Sequence, residues 1–128
     1  QWGGGVVLDD GLFLACESTL QHKAVMRSNF SSAVAGGEGL FNLSLNGNGV
    51  ACIEASCPRE ELIEIRLEND VLKVDGNFVI AWSSTLDFTV ERSGKSLIGS
   101  AASGEGLVNV YRGTGKVLMM PTANMPNI

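Results

Sequence analysis

A carboxylate and an amide recur in two copies of one glycine-rich block, and these are the side chains best suited to bind a ligand. The block Gly-Glu-Gly-Leu-Phe-Asn begins at Gly37 and returns 67 positions later, at Gly104, as Gly-Glu-Gly-Leu-Val-Asn. The flanking glycines allow unusual backbone angles and the close approach of a ligand or another chain. Two equivalent sites could therefore hold a ligand amine or a backbone amide. The candidate ligand or interface residues are Glu38, Asn42, Glu105 and Asn109.

The same side chains can instead stabilise the fold, and we favour this second interpretation. A carboxylate or amide next to a turn hydrogen-bonds the backbone that starts the following strand. A structural role predicts that Glu38→Gln or Glu105→Gln lowers thermal stability. A binding role predicts loss of a bound ligand at unchanged stability. The block is not a phosphate loop, because it lacks both the Lys-Ser/Thr pair and a βαβ context.

No other group of residues indicates catalysis. His22 is the only histidine, and without a matching nucleophile or second ligand it supports neither a triad nor a metal centre. We expect it to be a surface or structural residue. Asp9, Asp10 and Asp75 lie beside glycines, a pattern typical of turns in which the carboxylate bonds nearby amides. The sequence therefore predicts a non-enzymatic protein without a cofactor.

The cysteine content indicates the cellular compartment, and the net charge indicates which classes of partner the protein can bind. Cys16, Cys52 and Cys57 form an odd set without a disulfide framework or a complete zinc ligand set, so we expect buried free thiols in a reducing compartment. A net charge of −5 repels phosphate backbones and argues against nucleic-acid binding. No apolar run has the length of a membrane helix, and no signal peptide is recognisable. These observations predict a cytoplasmic protein.

The elements that position these residues are predicted to be strands in a tandem duplication. Gly47-Asn48-Gly49 returns as Gly113-Thr114-Gly115 at a shift of 66, and the stretch 10–20 is answered by 75–86. Sixteen glycines among 128 residues, spread between short apolar runs, indicate many tight turns. We expect a single domain over 1–128: repeat one at about 6–58, a linking hairpin strand at about 59–70, repeat two at about 71–121 and a loose tail at 122–128.

Apolar residues alternate with polar ones, which is the period of a half-solvated strand. After such a run at 62–68, Asn69-Asp70 is predicted to be a two-residue hairpin loop that pairs Leu67 with Leu72 and Ile65 with Val74. Further hairpin connections are predicted at 46–49 and 113–115, and a short helical turn at 58–61. The aromatic residues are expected mostly in the core, and Trp82 is expected to be buried.

The order of the repeated motifs resembles a known family, the mitochondrial-biogenesis family named for altered inheritance of mitochondria. The resemblance covers about 6–121 and is carried by 37–42, 47–49, 75–81 and 104–115. It implies a fold similar to the tryptophan-RNA-binding attenuation protein (TRAP), a β-sandwich sometimes grouped with double-stranded β-helices. The resemblance implies no catalytic residues. Tryptophan and RNA binding are properties of TRAP, and a similar fold alone does not imply them for this protein. Longer members carry about three such units where this sequence shows two, and strand edges left uncovered would be covered most simply by another subunit.

The sequence thus predicts an all-β, TRAP-like domain of two repeats that acts as a structural or interaction protein. We expect a homo-oligomer, with a further protein partner as an open possibility and with no nucleic-acid partner and no membrane span. The alternative is a small-ligand-binding module, for an amino acid or a similar compound, that uses the repeated Gly-Glu-Gly-Leu-x-Asn blocks.

Overall fold

Strands dominate the structure, a computed structural model that describes residues 2–26, 41–92 and 107–122. The predicted all-β class is confirmed. A short 3₁₀ turn, Arg59–Glu61, follows Pro58 as the sequence predicts, and a second one spans Gly76–Phe78. The strands of the described residues are β1 Val6–Leu8, β2 Phe13–Cys16, β3 Gln21–Met26, β4 Phe41–Asn46, β5 Ala51–Ile53, β6 Ile63–Asp75, β7 Val79–Ser83, β8 Asp87–Arg92 and β9 Leu107–Met119.

Seven of these strands form one curled antiparallel sheet, in the order β3-β4-β1-β7-β9-β6, with β8 also paired to β9. The two long strands, β6 and β9, run side by side over most of their length. The first part of β9 also pairs with β8, and its last part pairs with β7. The β2 and β5 strands form a separate two-stranded sheet.

The predicted hairpin at Asn69-Asp70 is wrong, because β6 continues through it. Leu67 pairs with Gly115 and Leu72 with Tyr111, both on β9, and the register shifts between Leu67 and Asp70. Asn69 does adopt the left-handed conformation, with φ of 48°, that a tight turn would need. In this strand the residue produces an irregularity and not a reversal, because an unbroken partner strand holds both sides of it.

The predicted hairpin at 113–115 is wrong for the same reason, since Gly113 and its neighbours lie inside β9 and face the irregularity of β6. The connection at 46–49 is a real bend, but it does not form a hairpin. The preceding strand, β4, pairs with β1 and β3, whereas the following strand, β5, pairs with β2. The bend therefore carries the chain from one sheet to the other.

Two apolar clusters form the core. One is centred on Trp82 and Tyr111 and the other on Leu45 and Ile80. Trp82 is buried as predicted and packs in an aromatic group with Phe88 and Tyr111, with centroid distances of 4.9 to 5.3 Å. The expectation of aromatic burial fails at two described positions, since two side chains are exposed: Phe13 and Phe41.

Strand registers recur at a constant shift of 66 residues. The pairs Phe13·Ile53 and Ala15·Cys52, with an irregularity between them, correspond to Val79·Met119 and Ala81·Leu118, which enclose the same irregularity. The β1·β4 pairs correspond in the same way to pairs between β6 and β9. The ladders β3·β4 and β8·β9 correspond as well, with six pairs each.

Candidate functional site

The first candidate residue, Asn42, is buried between β4 and the end of β1. Its side-chain amide donates to the carbonyl oxygen of Leu8 over 3.1 Å. Leu8 is the last residue of β1, just before the turn at Asp10-Gly11. The amide therefore ties β4 to the point where the chain leaves β1.

Asn109, the corresponding residue of the second sequence block, lies on β9 beside the turn that leaves β6. At the register shift of 66 residues its position matches that of Leu43, since Leu8 pairs with Leu43 and Val74 with Asn109. The Asn109 amide nitrogen donates to the Tyr111 hydroxyl over 3.0 Å. Gly76 packs so closely that a Cβ on it would come within 2.8 Å of the same nitrogen. Asp75 accepts a hydrogen bond from the backbone of Asn77 over 3.0 Å, the turn chemistry that the sequence predicts. Thus both asparagines lie next to an Asp-Gly turn and bond within the chain.

The two glutamates of the repeated block, Glu38 and Glu105, lie outside the described residues. Of the four predicted site residues the structure describes Asn42 and Asn109, and it places them on β4 and β9, which are separated in the sheet by β1 and β7. The prediction that they form two equivalent sites stays a prediction.

A cavity of about 510 Å³ lies between the two sheets, at the bend around Gly47 to Gly49. Its described lining combines apolar side chains with polar groups and carries no charged side chain. The polar groups there are the side-chain amides of Asn46 and Asn48 and the backbone of the glycines. The side-chain Oδ1 of Asn46 already accepts from the Gly47 backbone amide over 2.9 Å. The other lining residues include Trp2, Leu20, Leu45, Ala51, Ile53 and Leu118.

The charged side chains of the described sheet form ion pairs at its surface. Glu91 accepts from Lys73 over 3.0 Å and from Arg112 over 3.2 Å, and these two bonds, the Lys73 one first, lower the pKa of that carboxyl group. A hydrogen bond from Lys116 lowers the pKa of Glu64. A carboxylate with a lowered pKa stays ionised near neutral pH, so neither group is suited to donate a proton there.

The histidine and the three cysteines lie apart from the candidate site residues in the sequence and take no part in the bonds described above. His22 is exposed on β3, in agreement with the surface role expected for it. The cysteines are free as predicted, but not buried: Cys52 is exposed, and Cys16 and Cys57 are half-buried. The exposure arises because the β2·β5 pair carries two of the thiols on short strands that are incompletely covered.

In residues 2–26, 41–92 and 107–122, no group of three or more histidine, cysteine or acidic side chains is placed to hold a metal ion. None of the helical segments in these ranges could span a lipid bilayer.

The β2 strand exposes apolar side chains, and its residues are not among the predicted site residues. Leu14 is 60% exposed and Phe13 is 38% exposed, and Ala15 is exposed beside them. In β7, which occupies the corresponding place 66 residues later, every residue is buried. The signal was present in the sequence, since the apolar run of Phe13 to Cys16 matches that of Val79 to Trp82, but only the structure shows that the two runs differ in burial.

Comparisons with known proteins agree with this fold. The chain is 32% identical over 111 residues to an uncharacterized protein of Streptococcus pyogenes serotype M6, a match that covers 86% of this chain and 43% of the relative. An X-ray crystal structure of a Streptococcus pyogenes protein superimposes with a TM-score of 0.71 at 27% identity, over 93% of this chain and 50% of that one. The chain thus spans half or less of the length of these relatives.

A family model also matches the chain over residues 1–122, and its description is mitochondrial biogenesis AIM24. This match includes both copies of the glycine-rich block and the open strand β2. The chain belongs to the mitochondrial biogenesis AIM24 family.

Proposed function

We propose that this chain is a non-enzymatic interaction module that assembles with copies of itself. The observation that carries the proposal is the exposure of β2. Its apolar residues lie at the surface, whereas Val79 and Ile80, at the corresponding places in β7, are 1% and 0% exposed. Burying an apolar side chain of this size contributes about 1.5–3 kcal/mol relative to leaving it in water. Contiguous exposed apolar surfaces are typical of protein interaction sites, which supports this role for β2.

Open strand edges support the same role. Among the described residues β2 pairs only with β5, and β6 pairs only with β9, so each strand has one edge with unused backbone hydrogen-bonding groups. Such an edge is a template for pairing with another strand. Among the described residues, Glu64 and Glu91 have a lowered pKa, and surface ion pairs with Lys116 and Lys73 account for it.

Native mass spectrometry, together with light scattering over about a hundredfold range of protein concentration, tests this role. We expect a defined multiple of the chain mass that dissociates on dilution. A strictly monomeric chain at every concentration would contradict the proposal.

A second candidate function, small-ligand binding, is favoured by the cavity at the Gly47 bend. Its volume of about 510 Å³ lies within the range of ligand pockets, and its lining combines apolar side chains with a few polar groups. Since no charged side chain lines it in the described residues, it suits a neutral apolar ligand better than a zwitterionic amino acid.

A thermal-shift screen of neutral apolar compounds against free amino acids tests this candidate. A ligand at 100 times its Kd adds roughly 2.7 kcal/mol to the free energy of unfolding. The variant Ala51→Leu, which places a larger side chain in the lining, should reduce the shift. The control Val50→Ala changes an exposed side chain outside the lining and should leave it unchanged. A screen without a stabilising compound would count against ligand binding at this cavity.

A further inference from the structure

The two open strand edges of this chain are complementary to each other. Within the chain, the two halves join where β1 pairs with β7, through Val6·Ser83, Val7·Trp82 and Leu8·Ala81. At the constant shift of 66, β1 corresponds to residues 72–74 of β6, and β7 corresponds to β2. The edges of β6 and β2 that correspond to this junction have no partner among the described residues.

The geometry points to a second copy of this chain as the partner of both edges, an inference that rests on the proposed self-association. The β6 strand of one copy pairs antiparallel with the β2 strand of the next copy and so repeats the internal junction between chains. The register follows from the shift: Leu72 opposite Glu17, Lys73 opposite Cys16 and Val74 opposite Ala15.

The side chains at these positions fit this pairing. At the internal junction, Ile80 and Ala81 pack against Leu8 in one apolar cluster. The residue that corresponds to Leu8 is Val74, which is only partly buried at the border of the other cluster. Leu14 and Ala15 of the second copy correspond to Ile80 and Ala81, so they would cover Val74 and lose their own exposure.

The pairing uses two different edges, so it is heterologous. Each added copy presents a further β6 edge and a further β2 edge, and the assembly closes into a ring or extends according to the rotation between copies. A twofold dimer through β2 alone would instead bring two identical edges together.

Disulfide trapping between two differently substituted chains tests the register. Asp9 donates its amide to the Ile80 carbonyl and Ser84 donates to the Gly5 carbonyl, so the Leu8·Ala81 pair lies between hydrogen-bonded pairs. Such a position brings the two Cα atoms to about 4.5 Å, within the range that a disulfide spans. One chain carries Ala15→Cys and the other Val74→Cys, with different mass tags. In both, the native thiols are removed by Cys16→Ser, Cys52→Ser and Cys57→Ser.

We expect mild oxidation of the mixture to yield a disulfide that joins one chain of each kind. A third chain with Lys73→Cys, one residue out of register, should cross-link to Ala15→Cys at least about tenfold less, since its side chain points to the other face. Two results would overturn this interface: disulfides that join identical chains only, or no disulfide between chains that native mass spectrometry shows to be assembled. Either result would still be consistent with the proposed self-association. A monomer in native mass spectrometry would overturn both.

A second variant gives an independent measurement. Leu14→Asp places a charge on the surface that the second copy would bury, and we expect the dissociation constant to rise at least about tenfold. Met26→Asp is the matched control, because Met26 is 61% exposed, close to the 60% of Leu14, and lies on β3, outside both edges. Equal effects of the two substitutions, or none from Leu14→Asp, would overturn the interface. Circular dichroism confirms in each case that the chain remains folded.

Discussion

The backbone amide of Asn69 donates to the side-chain hydroxyl of Thr114 over 2.9 Å and joins the two irregular points of the long β6·β9 ladder. Asn69 has a positive φ, and Gly113, beside Thr114, also has a positive φ. The bond therefore crosses the ladder where neither strand keeps regular pairing. It explains how two sequences typical of turns continue as strands.

Removal of the hydroxyl should weaken this part of the sheet. We expect Thr114→Val to lower the free energy of unfolding by about 0.5–1.5 kcal/mol, because it leaves the Asn69 amide without this acceptor. Thr114→Ser keeps the hydroxyl and is the matched control. Urea denaturation of both variants measures the difference, and equal midpoints would show that the bond contributes nothing.

A side chain at Gly115 should destabilise the sheet. A Cβ at this position would come within 2.7 Å of the Ser83 Cβ and 2.9 Å of the Thr85 hydroxyl oxygen. We expect Gly115→Ala to lower the free energy of unfolding by about 1–3 kcal/mol through overpacking. Gly3→Ala is the control, because a Cβ there meets nothing within 4 Å. Thermal denaturation compares the two, and similar melting temperatures would refute the close packing of β9 against β7.

Much of the fold could be predicted because period-two patterns and glycine spacing are local signals. They identified the all-β class and the helical turn after Pro58. They failed at Asn69 and Gly113, since the local chemistry of a hairpin loop and of an irregularity inside a strand is the same at these residues. Only pairing to a second long strand separates the two cases, and that pairing is not visible in either segment alone.

The candidate site was harder to predict than the fold. The repeated block drew attention to Asn42 and Asn109, but both side chains bond within the chain. The exposure of β2 could not be predicted from the sequence, because Leu14 has the same apolar character as the buried Ile80. Burial depends on what packs against a strand, and its own residues do not encode that.

The bond between Asn109 and Tyr111 should be measurable as a coupling energy. Asn109 donates to the buried Tyr111 hydroxyl over 3.0 Å. We expect the double-mutant cycle of Asn109→Ala and Tyr111→Phe to give a coupling of about 0.5–1.5 kcal/mol in urea denaturation. Additive effects would show that the two side chains act independently. An Asn109→Ala variant of unchanged stability would favour a binding role for this amide over a structural one.

The ion pairs of Glu91 should make stability depend on pH in acid. Hydrogen bonds from Lys73 and then Arg112 lower the pKa of Glu91 in the folded protein, so the unfolded chain binds a proton more readily than the folded one. The stabilising contribution is therefore present above the ordinary glutamate pKa of about 4.3 and is lost as the pH falls through the lowered folded value.

Glu91→Gln should consequently lower the urea midpoint near neutral pH, and the difference from the unsubstituted chain should vanish in acid, once Glu91 is protonated in both states. The effect is expected to be small, because the pairs are exposed at the surface, and to shrink further in about 1 M salt. Glu68→Gln on β6 is the control for removing one negative charge. A Glu91→Gln difference that persists unchanged in acid and in salt would show that the carboxylate stabilises the sheet by packing and not by its charge.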